Sequence, residues 1–165
     1  MDSVLTDRRK ALLEWEADEL RSNPPDAAQF SLTPFDDELL QWNATIIGPE
    51  DSDYWDGTFK LTIEIKAEYP RFDPIFKFIT PIYHPNIGED GTVHKLSDSG
   101  AWTSTRLRTF VANLRKLLAE PDWKEPWRKD LAEQYKKDAQ AYKDEVCRQT
   151  VKHAMTEEQR AELED

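Results

Sequence analysis

Cysteine is almost missing from this chain: among 165 residues Cys147 stands alone. A single thiol excludes a disulfide within the chain, so an oxidising compartment offers the fold no covalent staple, and a cytosolic or nuclear setting fits best. Long apolar runs are missing too. No stretch approaches the roughly eighteen consecutive apolar residues that a membrane helix needs. In the opening segment, MDSVLTDRRKALLEWE, charges interrupt every short hydrophobic run, so no secretion signal is expected either. Positive charge is in deficit, with 22 Lys and Arg against 33 Asp and Glu and a formal net charge of -11. A chain this acidic is repelled by phosphate backbones and anionic lipid surfaces, which argues against nucleic acid and membrane as partners. Internal repeats and low-complexity linkers are absent, and the length suits one ordinary domain with a real core.

What is present is clear periodicity. Leu12, Leu13, Trp15 and Leu20 lie among charges over residues 6–21, predicting an amphipathic helix that stops at Ser22-Asn23-Pro24-Pro25 because proline cannot continue it. Phe30 and Leu32 alternate with Ser31 and Thr33, and Leu40, Trp42, Ala44 and Ile46 alternate with Gln41, Asn43, Thr45 and Ile47 until Gly48-Pro49. Phe59, Leu61, Ile63 and Ile65 alternate strictly with Lys60, Thr62, Glu64 and Lys66, and a fourth short strand is expected over residues 75–79. Four strands joined by short connections predict an antiparallel meander with one face to cover. Leu107, Phe110, Val111, Leu114, Leu117 and Leu118 form a wide apolar stripe, suited to a central helix across that sheet. Pro126 can open a further helix with Leu131 and Tyr135 on one side, and Tyr142, Val146 and Val151 mark a last one. The expected fold is α+β: an N-terminal helix, a four-stranded antiparallel meander, a central helix packed on it and two C-terminal helices. Residues 1–155 form the core domain, and 156–165, TEEQRAELED, an acidic tail that frays or prolongs the last helix.

Residues 81–101 show no periodicity although they lie between the sheet and the central helix, and long irregular segments in compact domains usually carry function. Within them, Tyr83 to His94 reads YHPNIGEDGTVH. Other motifs stand in order along the chain. Residues 42–49 read WNATIIGP, followed by Asp51, Ser52 and Tyr54; then come Gly57-Thr58-Phe59, Tyr69-Pro70 and Pro74. Later stand Trp102 and the run DLAEQY at 130–135, with Asp138 and Tyr142. In this order and at these intervals the chain resembles the ubiquitin-conjugating enzyme family over nearly its whole length.

The resemblance implies the ubiquitin-conjugating (UBC) fold and a reaction that uses no cofactor. In the family, an activating enzyme passes the C-terminus of ubiquitin to a cysteine, which holds it as a thioester until a lysine amine or a ligase's cysteine attacks. A thiol suits this because its thiolate is strongly nucleophilic near neutral pH and its acyl adduct survives while staying transferable. Counting from Asn86 through Gly91, the family's cysteine falls at His94. An imidazole can be acylated, but acyl-imidazoles hydrolyse readily and do not reproduce thiol-to-thiol exchange. No catalytic residue is therefore expected, and His94, with His84 and Asn86 of the same motif, marks a vestigial site.

By the same resemblance Asn86 takes the place of an asparagine thought to stabilise the oxyanion of aminolysis; simply holding the loop together is the plainer role. His84 is expected as a structural imidazole bonded to nearby backbone. Glu125 falls near an acidic family position that tunes the attacking lysine, and a surface carboxylate explains it equally. Cys147 reads as a partly buried structural thiol. Ser97 or Ser99, activated by His94, is a conceivable oxyester nucleophile without an evident orienting group. A metal site on His84 and His94 would have only Glu89, Asp90 and Asp98 to complete it, so no metal is expected.

Candidate partner-binding residues are Arg8, Arg9, Arg71, Phe72 and Trp102. Family ligases usually grip an aromatic after the Tyr-Pro pair and a proline-containing loop after the tryptophan. Here Arg71 follows Pro70, with Phe72 able to stand in, and Thr103-Ser104-Thr105 follow Trp102. In the first helix Arg8, Arg9 and Lys10 are followed at once by acidic residues, and a solvated face explains them as well. The expected role is a non-catalytic binding or regulatory partner of ubiquitin or a ubiquitin-like protein, of an active conjugating enzyme or of a ligase. Inactive relatives pair with an active conjugating enzyme, often without the terminal helices that this chain keeps. Two alternatives stay open: an active enzyme, through another nucleophile or with His94 replacing a natural cysteine, and an interaction scaffold unrelated to ubiquitin.

Overall fold

The computed structural model describes residues 2–94 and 106–165. Helix α1 (Asp2–Ser22) is followed by strands β1 (Phe30–Pro34), β2 (Gln41–Ile47), β3 (Thr58–Glu64) and β4 (Ile75–Phe78), then helices α2 (Leu107–Ala119), α3 (Lys129–Lys137), α4 (Ala139–Ala154) and α5 (Glu157–Glu164). The strands form one antiparallel sheet in the order β1-β2-β3-β4, as the alternating pattern predicts. Register turns the alternation into packed rows. Phe30, Ile46 and Phe59 lie side by side, as do Leu32, Ala44, Leu61 and Phe78, and as do Trp42, Ile63 and Phe76. All of these side chains are buried on one face, each of the large ones contributing about 1.5–3 kcal/mol of burial. Helix α2 lies across β1 and β2 with Leu107, Phe110, Val111, Leu114 and Leu118 turned inward, and the Phe110 and Phe76 rings meet at 5.5 Å. Leu117, at the edge of the predicted stripe, is only half-buried.

Several expectations need correction. Ile65 and Ile79 fall just beyond their strands, and Ile79 faces solvent although its N–H still bonds to Lys60. Helix α3 starts at Lys129, three residues after Pro126, with Arg128 as its non-helical N-cap (φ -92, ψ 89). Three helices follow α2, not two. The acidic segment neither frays nor prolongs α4: Met155 is extended (φ -122, ψ 148), and Thr156 opens a separate helix with a capping box to Gln159. Gln159 donates to the Asp56 carbonyl at 3.0 Å, and Arg160 Nε donates to the Val151 carbonyl of α4 at 2.9 Å, so α5 is attached although its faces are wet. Among the described residues, no helix is long and apolar enough to cross a membrane.

Candidate functional site

After β4 the chain turns back and lies along that strand's free edge. Phe78 N–H bonds to the Gly91 carbonyl at 2.8 Å, Val93 N–H bonds to the Phe76 carbonyl at 3.0 Å, and Thr92 faces Lys77. The sheet edge is thus covered by the loop that carries the signature. Gly91 permits this return. Its φ is 89°, and a Cβ there would stand 2.1 Å from the Phe78 carbonyl oxygen. Asp90 shapes the turn by accepting from Thr92 N–H and Oγ1–H, both at 3.0 Å, and these bonds hold its carboxyl below the usual range.

His84 anchors the base of the loop. Its side chain is fully buried, with Nε2 2.9 Å from the Leu117 carbonyl at the end of α2, while Nδ1 accepts from Asn86 N–H at 3.1 Å. A carbonyl needs a donor and an N–H needs an acceptor, so the ring is the neutral Nε2–H tautomer. Burial pulls its pKa down to about 4, against the opposing bond to Leu117. With both nitrogens engaged, His84 has none left for a metal. Tyr54 buttresses the same turn, its hydroxyl donating to the Tyr83 carbonyl and its ring lying 5.7 Å from that of His84.

Asn86 clamps this loop to the segment after α2. Its Nδ2 donates to the Asp122 carbonyl and its Oδ1 accepts from Asp122 N–H, both at 2.9 Å, and its side chain is buried. Arg128 adds a second tie, its N–H bonding to the Pro85 carbonyl at 2.8 Å while its guanidinium reaches Glu89 at 3.2 Å and Asp130 at 2.8 Å. Residues 126–128 stay outside α3, and the Arg128 backbone that precedes it is not helical (φ -92, ψ 89). The Arg128 hydrogen bond also keeps the Asp130 carboxyl below its usual range.

His94 ends the described part of the loop. Its N–H bonds to the Asn86 carbonyl at 3.0 Å, and its half-buried ring lies flat on Trp127, with centroids 3.6 Å apart and planes 7° from parallel. Burial lowers its pKa, against the pull of Asp90, so the imidazole is neutral at neutral pH. Gly88 runs beneath the pair; a Cβ there would lie 3.3 Å from His94 Nε2 and 3.5 Å from Trp127 Nε1. The stacked rings separate two open depressions. One, of about 550 Å³, is flanked by Lys124, Glu125 and Lys129, and the other, of about 440 Å³, by Glu89, Asp90 and Arg128. A neutral, partly exposed imidazole here can accept a hydrogen bond or stack, but it brings no sulfur.

The structure thus gathers His84, Asn86 and His94 into one loop and sets Glu125, exposed, beside His94. Cys147 is elsewhere. It is exposed on α4, contrary to the partly buried thiol expected, with Sγ 3.7 Å from the Asp53 carbonyl. Although the residue as a whole is exposed, its sulfur is partly desolvated where it meets the Asp53 backbone, and this, with the nearby Asp53 and Asp144 carboxylates, raises its pKa, away from an activated thiolate. Among the partner candidates, Arg8 is exposed, Arg9 is half-buried and donates to the Lys66 carbonyl at 3.5 Å, and the Arg71 guanidinium lies 5.7 Å from the half-exposed Phe72 ring. Ser97, Asp98, Ser99, Trp102 and residues 103–105 lie outside the described residues. Sequence reasoning missed Trp127 and Asp122, whose partners stand some thirty-odd residues away and leave no local periodicity.

Compared with known protein families, residues 12–150 match the one described as ubiquitin-conjugating enzyme. The match runs from the middle of α1 into α4 and takes in the sheet, the His94 loop and the segment that Asn86 clamps. With that coverage and the helix, meander and helix order on the page, this chain belongs to the ubiquitin-conjugating enzyme family.

Proposed function

We propose that the chain is a non-catalytic member of its family, acting in ubiquitin or ubiquitin-like conjugation as a binding or regulatory partner. The observation that carries this reading is the imidazole of His94, at the position that counting along the motif assigns to the family's cysteine, lying flat on Trp127. Without sulfur there is no thioester to hold or to pass on, because an acyl-imidazole is lost to water instead of transferred. Cys147 offers no replacement, since it sits against Asp53 on α4 with a raised pKa. What persists is packing: His84, Asn86 and Tyr54 keep the loop in shape, so the surface around it remains available to a protein partner. The partner face includes α1 with Arg8 and the loop bearing Arg71 and Phe72, toward ubiquitin, an active conjugating enzyme or a ligase. The test is a titration of the chain with labelled ubiquitin and with a panel of active conjugating enzymes. Saturable binding to at least one is expected, while silence across the panel would favour a scaffold with no link to ubiquitin.

A further inference from the structure

Away from the His94 loop, the charge most at odds with its surroundings is Glu16, buried on the inner face of α1 at 3% exposure. Both of its oxygens are engaged. Oε1 accepts from the backbone N–H of Leu107, the first residue of α2, at 2.7 Å, and Oε2 accepts from the Tyr69 hydroxyl at 2.9 Å. Arg106, the N-cap residue of α2, makes no side-chain capping bond, so an N–H at that helix end is met instead by a carboxylate reaching in from α1. A negative charge suits the positive end of the helix dipole. Tyr69 is equally buried and belongs to the β3–β4 loop, which also carries Arg71 and Phe72. Arg9, two turns earlier on the same side of α1, donates to the Lys66 carbonyl of that loop. The charged groups facing this cluster are Arg106 and Glu19, which pair at 3.2 Å, with the Arg106 guanidinium 4.2 Å from the Trp15 ring.

Two donors converge on Glu16, and an ionised carboxylate is the side chain that accepts from both without presenting a hydrogen of its own. Glutamine can keep both contacts in uncharged form, its oxygen accepting from the Leu107 N–H and its NH2 donating to the Tyr69 hydroxyl oxygen, whereas alanine leaves both donors without an acceptor in a dry place. Burial raises the pKa of Glu16, and its bonds to Leu107 and Tyr69 oppose that rise. Apolar packing would fill the space with less penalty but would leave both donors unmet.

We propose that Glu16 is a positioning residue. Its carboxylate joins the loop carrying Arg71 and Phe72, and the first turn of α2, to the helix that presents Arg8, so that the partner face is held as one rigid unit. The partner role of that face rests on the function proposed above; the joint does not, and it is tested on the free protein. Amide hydrogen exchange is measured by NMR for the unaltered chain, Glu16→Ala and Tyr69→Phe. Glu16→Ala, which removes both acceptors, is expected to speed exchange about tenfold or more over residues 66–72 and over 107–110, with β2 and β3 unchanged. Tyr69→Phe, the milder variant, is expected to act on 66–72 alone. Acceleration confined to one segment in Glu16→Ala, equal acceleration throughout the molecule, or none, overturns the joint. Silence in the ubiquitin and conjugating-enzyme titrations would instead overturn the partner reading and leave the exchange result standing.

Discussion

His84 and His94 share one loop, yet their surroundings are opposite. The first is fully buried, with one ring nitrogen donating to Leu117 and the other accepting from Asn86. The second is half-exposed and held by a backbone bond and one flat contact with Trp127. The fold needs His84 as a neutral donor and acceptor at a set place, whereas the ring of His94 meets no such demand. The difference teaches how the proposed loss of chemistry leaves the frame intact: the groups that shape the loop are also core, and the position that the motif assigns to the family's cysteine lies at the surface.

The comparison can be broken in four ways, from the largest effect to the smallest. Replacing His84 by alanine should lower the unfolding free energy by about 3–5 kcal/mol, since it opens a cavity and strands two backbone groups. Urea unfolding measures this, and a loss no greater than that of a surface variant would undo the contrast.

Acid should act through the same ring. The folded pKa of His84, about 4, lies below its unfolded value near 6.5, so its contribution is whole above pH 6.5 and is lost as the pH falls toward 4. The size is on the order of 3 kcal/mol. Comparing the unaltered chain with His84→Gln at each pH cancels the carboxylates common to both, and a difference that stays flat from pH 7 to 4 would refute the assignment.

Asn86→Ala should cost about 2 kcal/mol, by leaving the Asp122 N–H and carbonyl unpaired, and should speed exchange of the Asp122 amide. Smallest of all, His94→Ala should change stability by less than about 1 kcal/mol, the worth of an exposed aromatic contact. A thermal scan showing a loss as large as that of His84→Ala would erase the distinction between frame and reacting position.

Much of the frame was legible because it is periodic. The alternation of Phe59, Leu61 and Ile63 and the stripe from Leu107 to Leu118 translate directly into burial. His94 was singled out by counting along a motif, and the structure puts it in one loop with His84 and Asn86. What stayed hidden depends on pairs far apart in the chain: Asn86 with Asp122, Glu16 with Leu107, His94 with Trp127. Local pattern carries no record of such pairs, and Glu16 read simply as one more charge on a helix. The separate α5 was signalled locally by Thr156 and Gln159, three residues apart ahead of a helix-forming run, and was overlooked because the segment was read for its charge.

The absence of transferable chemistry is tested most directly by incubating the chain with ubiquitin-activating enzyme, ATP and ubiquitin, beside His94→Cys, on gels with and without a thiol reductant. The account predicts no adduct on the unaltered chain and a reductant-sensitive adduct on His94→Cys. A discrete ubiquitin adduct on the unaltered chain would contradict it.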